Sequence, residues 1–175
     1  MENEFNQNQG NEAETQMRNV ETYEEVLERA RSKQSLTHAI IFGVAAAIAG
    51  AILWTVITVA TQYQIGYMAL AIGLMVGFSV RAGGQGVDKI FGITGAVLAL
   101  IGCLLGNFFS QIVFAANYYE IEYYEIIFSL DLGMIVDIMV ESFSSADILF
   151  YAIATYEGYK FSFKKINMHP GPVID

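Results

Sequence analysis

The sequence contains little charge, few basic residues and almost no cysteine or histidine. Only 15% of its 175 residues are charged, whereas a soluble domain carries roughly a quarter. The single cysteine, Cys103, excludes a disulfide framework and a cysteine-built zinc site. Nine basic against 18 acidic residues give a net charge of -9, which argues against nucleic-acid binding because that needs a basic face.

Catalytic and cofactor motifs are equally scarce. The two histidines, His38 and His169, form no recognisable nucleophilic constellation with a serine or with Cys103. The sequence therefore predicts a protein that is not an enzyme, with no catalytic residue, no cofactor and no metal site.

Apolar residues dominate what is present, with 54% of the chain in the apolar set and a mean hydropathy of +0.43. No charged residue occurs in the 47 positions between Lys33 and Arg81. As a helix this stretch would be roughly 70 Å long, enough for two membrane crossings. A second charge-free stretch covers the 30 positions 90–119. We therefore predict an all-α, polytopic membrane protein with spans at about 39–60, 65–80 and 90–116.

A fourth span, at about 146–163, is predicted from the distribution of basic residues. With four crossings and a cytoplasmic N-terminus, every Lys and Arg falls on the cytoplasmic side, as the positive-inside rule requires. A three-span chain would instead place Lys160, Lys164 and Lys165 outside. The predicted outer segments, 61–64 and 117–147, contain no basic residue and seven acids. The expected location is the plasma (inner) membrane of a bacterium, with the lipid bilayer around the spans and both termini cytoplasmic.

The predicted membrane domain, 36–163, lies between two polar cytoplasmic tails. In the first tail, residues 1–35, positions 1–18 are too polar to bury a core, and a short helix is predicted near 22–34. Its basic end can orient the first span, or the helix can bind a protein partner. The second tail comprises residues 164–175.

The outer segment 126–142 carries apolar residues that can share one helical face, interrupted by three acids. We predict an amphipathic helix lying in the outer interface, followed by a helix start at Ser144 or Ser145 with Asp147 in the first turn.

Glycines recur at close-packing spacing in the first three spans, including Gly73-x-x-x-Gly77 and Gly102-x-x-x-Gly106. Such spacing lets helix backbones approach closely. We predict a tight bundle within one chain, with homo-oligomer formation as the alternative. In the polar loop after the second span, Arg81 is expected to reach headgroups or to pair with Asp88.

Ionisable side chains at membrane depth are the candidate functional residues. Asp147, Tyr151, Thr155 and Gly158 recur at helical spacing, and Asn107 of the third span could face them. Glu157 is the second acid of the fourth span. This speculative intramembrane polar site comprises Asp147, Tyr151, Thr155, Glu157 and Asn107. Helix capping and local pairing are the plainer interpretation.

Two blocks of the sequence carry a resemblance to known proteins. They are Tyr63–Ala69 with Gly73, Gly77, Val80-Arg81, Gly84-x-Gly86 and Gly102–Gly106, and Asp147–Tyr151 with Glu157-Gly158-Tyr159. Over residues 38 to 163 the chain resembles a loosely defined group of uncharacterised small bacterial multi-span membrane proteins. The resemblance implies four spans and brings no activity. The function expected is a non-catalytic scaffold or accessory subunit; the alternative is a small ion or solute conduit.

Overall fold

The computed structural model describes residues 23–63 and 66–166, and these form seven α-helices without a strand. The helices are α1 (Tyr23–Ser32), α2 (Leu36–Thr61), α3 (Tyr67–Gly84), α4 (Lys89–Tyr119), α5 (Tyr123–Ser129), α6 (Leu132–Glu141) and α7 (Ser145–Phe161). Three of them, α2, α3 and α4, are long and apolar enough to cross a membrane. The all-α class is confirmed for this part of the chain. The tail predictions for residues 1–18 and 167–175 lie outside the described residues.

Helices α2, α3, α4 and α7 form a four-helix bundle. Helices α3 and α4 contact each other, and both contact α2 on one side and α7 on the other. Pairs of van der Waals neighbours fix the directions. Gly43 and Gly50 lie against Val80 and Ile72, so α2 and α3 are antiparallel. Gly73 and Gly77 lie against Ala154 and Phe161, so α3 and α7 are parallel, and α2 and α4 are parallel because Gly43 lies against Leu98 and Trp54 against Gly106. Thus α2 and α4 run one way, and α3 and α7 run the opposite way.

Helix α2 turns small residues into the bundle and large apolar residues outward. The buried positions of α2 include Ala39, Gly43, Ala47 and Gly50. By contrast, many of its bulky side chains are exposed: Ile40, Ile41, Phe42, Val44, Ile48, Ile52, Leu53 and Val56. A soluble protein does not leave a contiguous apolar surface of this kind in water. The surface is suited to contact with lipid, and the small buried residues let the helices pack closely there.

Glycine brings the helix backbones together within one chain, as predicted. A Cβ at Gly73 would lie 2.6 Å from the Ala154 carbonyl oxygen, and one at Gly158 would lie 2.5 Å from the Gly95 oxygen. These helices therefore pack backbone to backbone. The close approach is what positions α7 in the bundle although it contains three charged residues, Asp147, Glu157 and Lys160.

The bundle has a basic end and an acidic end. Backbone hydrogen bonds join the N-terminal and C-terminal segments to the α3–α4 loop at one end: Ser35 N donates to Gly84 O (2.9 Å) and Lys164 N donates to Gly86 O (2.8 Å). This basic end carries all the described basic residues, Arg29, Arg31, Lys33, Arg81, Lys89, Lys160, Lys164 and Lys165. The opposite, acidic end carries Glu120, Glu122, Glu125, Asp131, Asp137, Glu141 and Asp147.

The acidic end differs from the prediction, because segment 126–142 forms no single amphipathic helix. It divides between α5 and α6 at Leu130, which has extended backbone angles. Asp131 then caps α6, accepting a hydrogen bond from Met134 N at 2.8 Å. A side chain that satisfies the first free amides of a helix favours a new helix start at that point. Among the described helices, α5 and α6 contact only α4.

Candidate functional site

The predicted stripe on α7 is partly turned into the bundle. The buried residues of α7 are Asp147, Tyr151, Ala154 and Gly158. Thr155, which the spacing placed on this stripe, is half-buried, and its hydroxyl donates to the Tyr151 carbonyl oxygen at 2.7 Å. The inward face therefore continues through Ala154 instead of Thr155.

Asp147 is the first-turn member of the capping box that begins α7 at the acidic end. Its Oδ2 accepts a hydrogen bond from Ser144 N at 2.8 Å, and Ser144 and Asp147 form a capping box. The predicted helix start is thereby confirmed, with Ser144 as the cap. Because Asp147 is only 4% exposed, these contacts hold a carboxyl group inside the protein at the first turn, where the helix dipole favours negative charge.

Tyr151 lies one turn further into the bundle, between aromatic rings of other elements. Its ring centroid is 6.4 Å from that of Trp54, edge to face, and 5.7 Å from that of Phe143. Asn107 and Asp147 both lie close enough to act electrostatically on the Tyr151 hydroxyl. Of the predicted site, the structure thus brings together Asp147, Tyr151 and Asn107.

Glu157 lies apart from this group. Ten residues separate it from Asp147 along α7, about 15 Å of helix. It is half-buried, and its Oε2 is buried without a hydrogen-bond partner among the described residues. The nearest opposite charge is Lys160, one turn away, whose Nζ also lies 5.5 Å from the centre of the Tyr156 ring. Glu157 and Asp147 therefore do not share one site.

Sequence reasoning missed two polar residues on α2, Trp54 and Thr58. Both are fully buried, and Trp54 Nε1, Thr58 Oγ1 and Tyr151 Oη have no hydrogen-bond partner in the described part of the protein. Trp54 lies against Gly106 of α4, the neighbour of Asn107. We call Trp54, Thr58, Asn107 and Tyr151 the polar cluster. Its members come from α2, α4 and α7 and lie in the half of the bundle nearer the acidic end.

A second set of polar contacts lies at the basic end, around Asp88. Its carboxylate accepts hydrogen bonds from Gln34 Nε2 and from Arg31 Nε, the latter at 3.1 Å. The hydrogen bond from Gln34, followed by the interaction with the Arg31 guanidinium, holds the pKa of Asp88 below its ordinary value of 3.8. The predicted Arg81–Asp88 pair is not formed, because residues 54 and 57 positions earlier in the chain reach Asp88 instead.

The C-terminal segment contacts the same loop. Lys164 Nζ donates to Gln85 Oε1 at 3.0 Å, beside the backbone bond from Lys164 N to Gly86 O. On the other side of the loop, Val87 N donates to Gln34 Oε1 at 3.3 Å. The α3–α4 loop is therefore held between the segments that precede α2 and follow α7.

An open cleft of about 770 Å³ lies at the acidic end, between α4 and the short helices α5 and α6. Its polar lining residues include Gln62, Gln111, Asn117 and Glu141. In residues 23–63 and 66–166, no three His, Cys, Asp or Glu side chains lie close enough together to hold a metal ion.

Comparison with known proteins adds no relative from which chemistry could be transferred. No family model, no curated protein and no solved structure matches the chain. The function must therefore be argued from the bundle itself.

Proposed function

We propose that the chain is a four-span protein of the plasma membrane, related to the small bacterial multi-span group that it resembles, with the basic end in the cytoplasm. The support for a fourth span is that α7 runs beside α3 over most of its length. Near the acidic end the Phe150 and Tyr67 rings are 5.7 Å apart, and near the basic end the Phe161 and Phe78 rings are 5.0 Å apart. Its 17 residues give about 25 Å of helix, close to the roughly 30 Å of hydrocarbon.

The orientation follows from charge. The described basic residues all lie at one end, and a cytoplasmic excess of Lys and Arg is the rule for polytopic proteins. Single cysteines in a Cys103→Ser background test this with a membrane-impermeant maleimide. Ser129→Cys should react in intact cells, whereas Lys165→Cys should react only after permeabilisation. Both positions are exposed, so the reverse labelling would overturn the orientation, and labelling of both in intact cells would overturn the four-span topology.

Within this topology we propose that the protein is a non-catalytic scaffold or accessory subunit that presents α1 to a partner protein at the cytoplasmic surface. One observation carries the proposal: α1 packs against no other described helix, yet its C-terminal end is attached to the bundle through Arg31 and Gln34 on Asp88. A helix that served only to orient the first span would not need a specific attachment to the loop between α3 and α4.

The surface of α1 has the composition of a recognition helix. Tyr23, Val26, Leu27 and Ala30 recur at helical spacing, and none of the residues of α1 is buried. Acidic residues occupy its first turn and basic residues its last, so the two charged patches flank the apolar positions. An amphipathic helix of this kind binds a groove through residues spaced three or four apart.

Site-specific photo-cross-linking tests the scaffold proposal. A benzophenone side chain at Tyr23 or Leu27 should give one and the same cross-linked partner, and Val26→Glu in the same chain should abolish it. The matched control is a benzophenone at Ile148, a 62% exposed position on α7 that faces lipid in this topology. Cross-links from α1 to lipid or to its own chain alone would contradict the proposal.

The alternative function, an ion or solute conduit, is favoured by the polar cluster and by Asp147. The tight packing of Gly95 against Gly158 toward the basic end disfavours it, because the two backbones leave no room for a solute at that contact. Asp147→Asn with Glu157→Gln separates the functions in liposomes. A wild-type ion flux that this variant loses would support the conduit; no flux from either protein would support the scaffold.

A further inference from the structure

Three buried polar atoms of the polar cluster lack a hydrogen-bond partner in the described residues, and this sets them apart from comparable groups in the same bundle. The hydroxyls of Thr55, Thr61, Thr94 and Thr155 each donate to the carbonyl oxygen one helical turn earlier, at 2.7–2.9 Å. Thr58, on the same helix as Thr55, does not do so. Its hydroxyl is therefore not satisfied by its own backbone.

The unsatisfied atoms of the polar cluster lie in one region of the bundle, away from the unsatisfied Glu157 Oε2. Trp54 and Tyr151 are in edge-to-face contact, Thr58 lies one turn along α2 from Trp54, and all three are at most 5% exposed. Asn107 lies beside Tyr151. Because α2 and α7 make no close backbone contact with each other, the Trp54 and Tyr151 rings meet in the space between the two helices.

An unsatisfied polar group is expensive in this environment. Each one buried without a partner destabilises a protein, and lipid around the bundle offers no substitute donor or acceptor. A buried water molecule binds where two to four polar groups surround it. The indole N–H of Trp54 and the hydroxyls of Thr58 and Tyr151 supply donors and acceptors suited to a neutral ligand of this kind.

We propose that the polar cluster is a hydration site: water bound inside the bundle, toward the acidic end, bridges Trp54 Nε1, Thr58 Oγ1 and Tyr151 Oη. The site is independent of the scaffold function proposed above. The indole N–H donates to water oxygen, and the two hydroxyls donate or accept as the water orientation requires. Asp147, one turn from Tyr151 toward the acidic end, is the charged group nearest the site along α7.

Stability provides a test in which the sign of the effect decides. If water bridges the cluster, Tyr151→Phe and Thr58→Val each remove a bridge and leave the others unsatisfied, so both should lower the Tm in detergent or nanodiscs. If the site is dry, Thr58→Val removes an unsatisfied polar atom and should raise the Tm. Tyr151→Phe also loses the interaction of its hydroxyl with Asn107, so the sign for Thr58→Val decides. Tyr156→Phe and Thr94→Val are the matched controls, because Tyr156 is 60% exposed and Thr94 bonds to its own helix; neither should move the Tm by more than a degree or so.

Fluorescence provides a second readout at the site itself, since Trp54 is the only tryptophan in the chain. Loss of the bridging water should shift the Trp54 emission to shorter wavelength in Thr58→Val and in Tyr151→Phe, and in neither control. Combining the two changes should give a smaller Tm loss than the sum of the single losses, because they act on shared water. A raised Tm in Thr58→Val together with unshifted emission would overturn the proposal.

Discussion

The contact between α4 and α7 yields the sharpest prediction, because Gly95 has no room for a side chain. A Cβ at this position would lie 1.9 Å from Ser162 Oγ and 2.3 Å from the Gly158 carbonyl oxygen. Ser162 is itself fully buried, and its hydroxyl donates to that same oxygen at 2.6 Å. Gly95→Ala therefore forces the two helices apart and disturbs a buried hydrogen bond.

The size of the effect follows from the distances. Ordinary contact for a Cβ begins near 3.4 Å, so the backbones must separate by about 1 Å around position 95, which forfeits a quarter to a half of the local dispersion energy. Overpacking of a well-filled interior destabilises by about 1–3 kcal/mol. We expect the loss of stability in Gly95→Ala to lie at the upper end of this range, about 3 kcal/mol, because a backbone atom opposes the new methyl group.

Gly102→Ala is the matched control on the same helix. Its Cβ would meet Ile72 Cγ2 at 3.0 Å and Ala47 Cβ at 3.3 Å. The Ile72 methyl group can shift, and alanine gains about 0.5–1 kcal/mol of helix stability over glycine. The net change should stay within about 1 kcal/mol.

The assay is unfolding of the reconstituted protein followed by circular dichroism, with Gly158→Ala as a reciprocal variant because its Cβ would lie 2.5 Å from the Gly95 oxygen. Equal losses for Gly95→Ala and Gly102→Ala, or a larger loss for Gly102→Ala, would refute backbone-to-backbone packing of α7. That result would also remove the main support for a fourth helix in the bundle.

Three further predictions concern the two ends. The lowered pKa of Asp88 means that its bonds to Gln34 and Arg31 contribute at neutral pH and are lost as the pH falls through the folded pKa, below 3.8. The amide protection factors of α1, which correct for the intrinsic pH dependence of exchange, should drop there in the wild type, whereas in Asp88→Asn they should be low at every pH. Asp147→Ala should lower the free energy of unfolding by about 1 kcal/mol through loss of the capping hydrogen bond. Asp147→Asn keeps an acceptor oxygen and should lower it by less. Equal losses in thermal unfolding would show that the charge matters more than the hydrogen bond. Glu120 follows α4 with a φ of 53°, so Glu120→Gly should stabilise the protein by up to about 1 kcal/mol. Glu122→Gly, at a φ of -73°, should give no such gain in the same assay.

The sequence was sufficient to predict the long helices, because loops and turns do not produce stretches of 47 and 30 positions without a charged residue. It was sufficient for the start of α7, since Ser144 and Asp147 form a local capping pattern. It was insufficient for the acidic end, where apolar spacing on both sides of Asp131 predicted one continuous helix. The capping role of Asp131 was visible in principle, as an acid three residues before Met134, but helical spacing on both sides concealed the break.

Contacts distant in sequence could not be predicted. The sequence predicts that Arg81 reaches headgroups or pairs across the loop with Asp88, yet Arg31 and Gln34 reach Asp88 once α2 and α3 are folded against each other. Local spacing contains no information about such pairs. The attachment of α1, on which the proposed function depends, therefore became visible only in three dimensions.

The polar cluster was missed for a reason specific to membrane helices. In a soluble helix the buried face is the apolar one, so amphipathicity identifies it. Here α2 is apolar on all sides, and its inner face is distinguished by side-chain size: Ala39, Gly43, Ala47 and Gly50 are buried at steps of three and four residues. Continued at the same step, that row reaches Trp54 and Thr58. The inner face of α2 thus carries small side chains toward the basic end and hydrogen-bonding side chains toward the acidic end, which is where bound water can be accommodated.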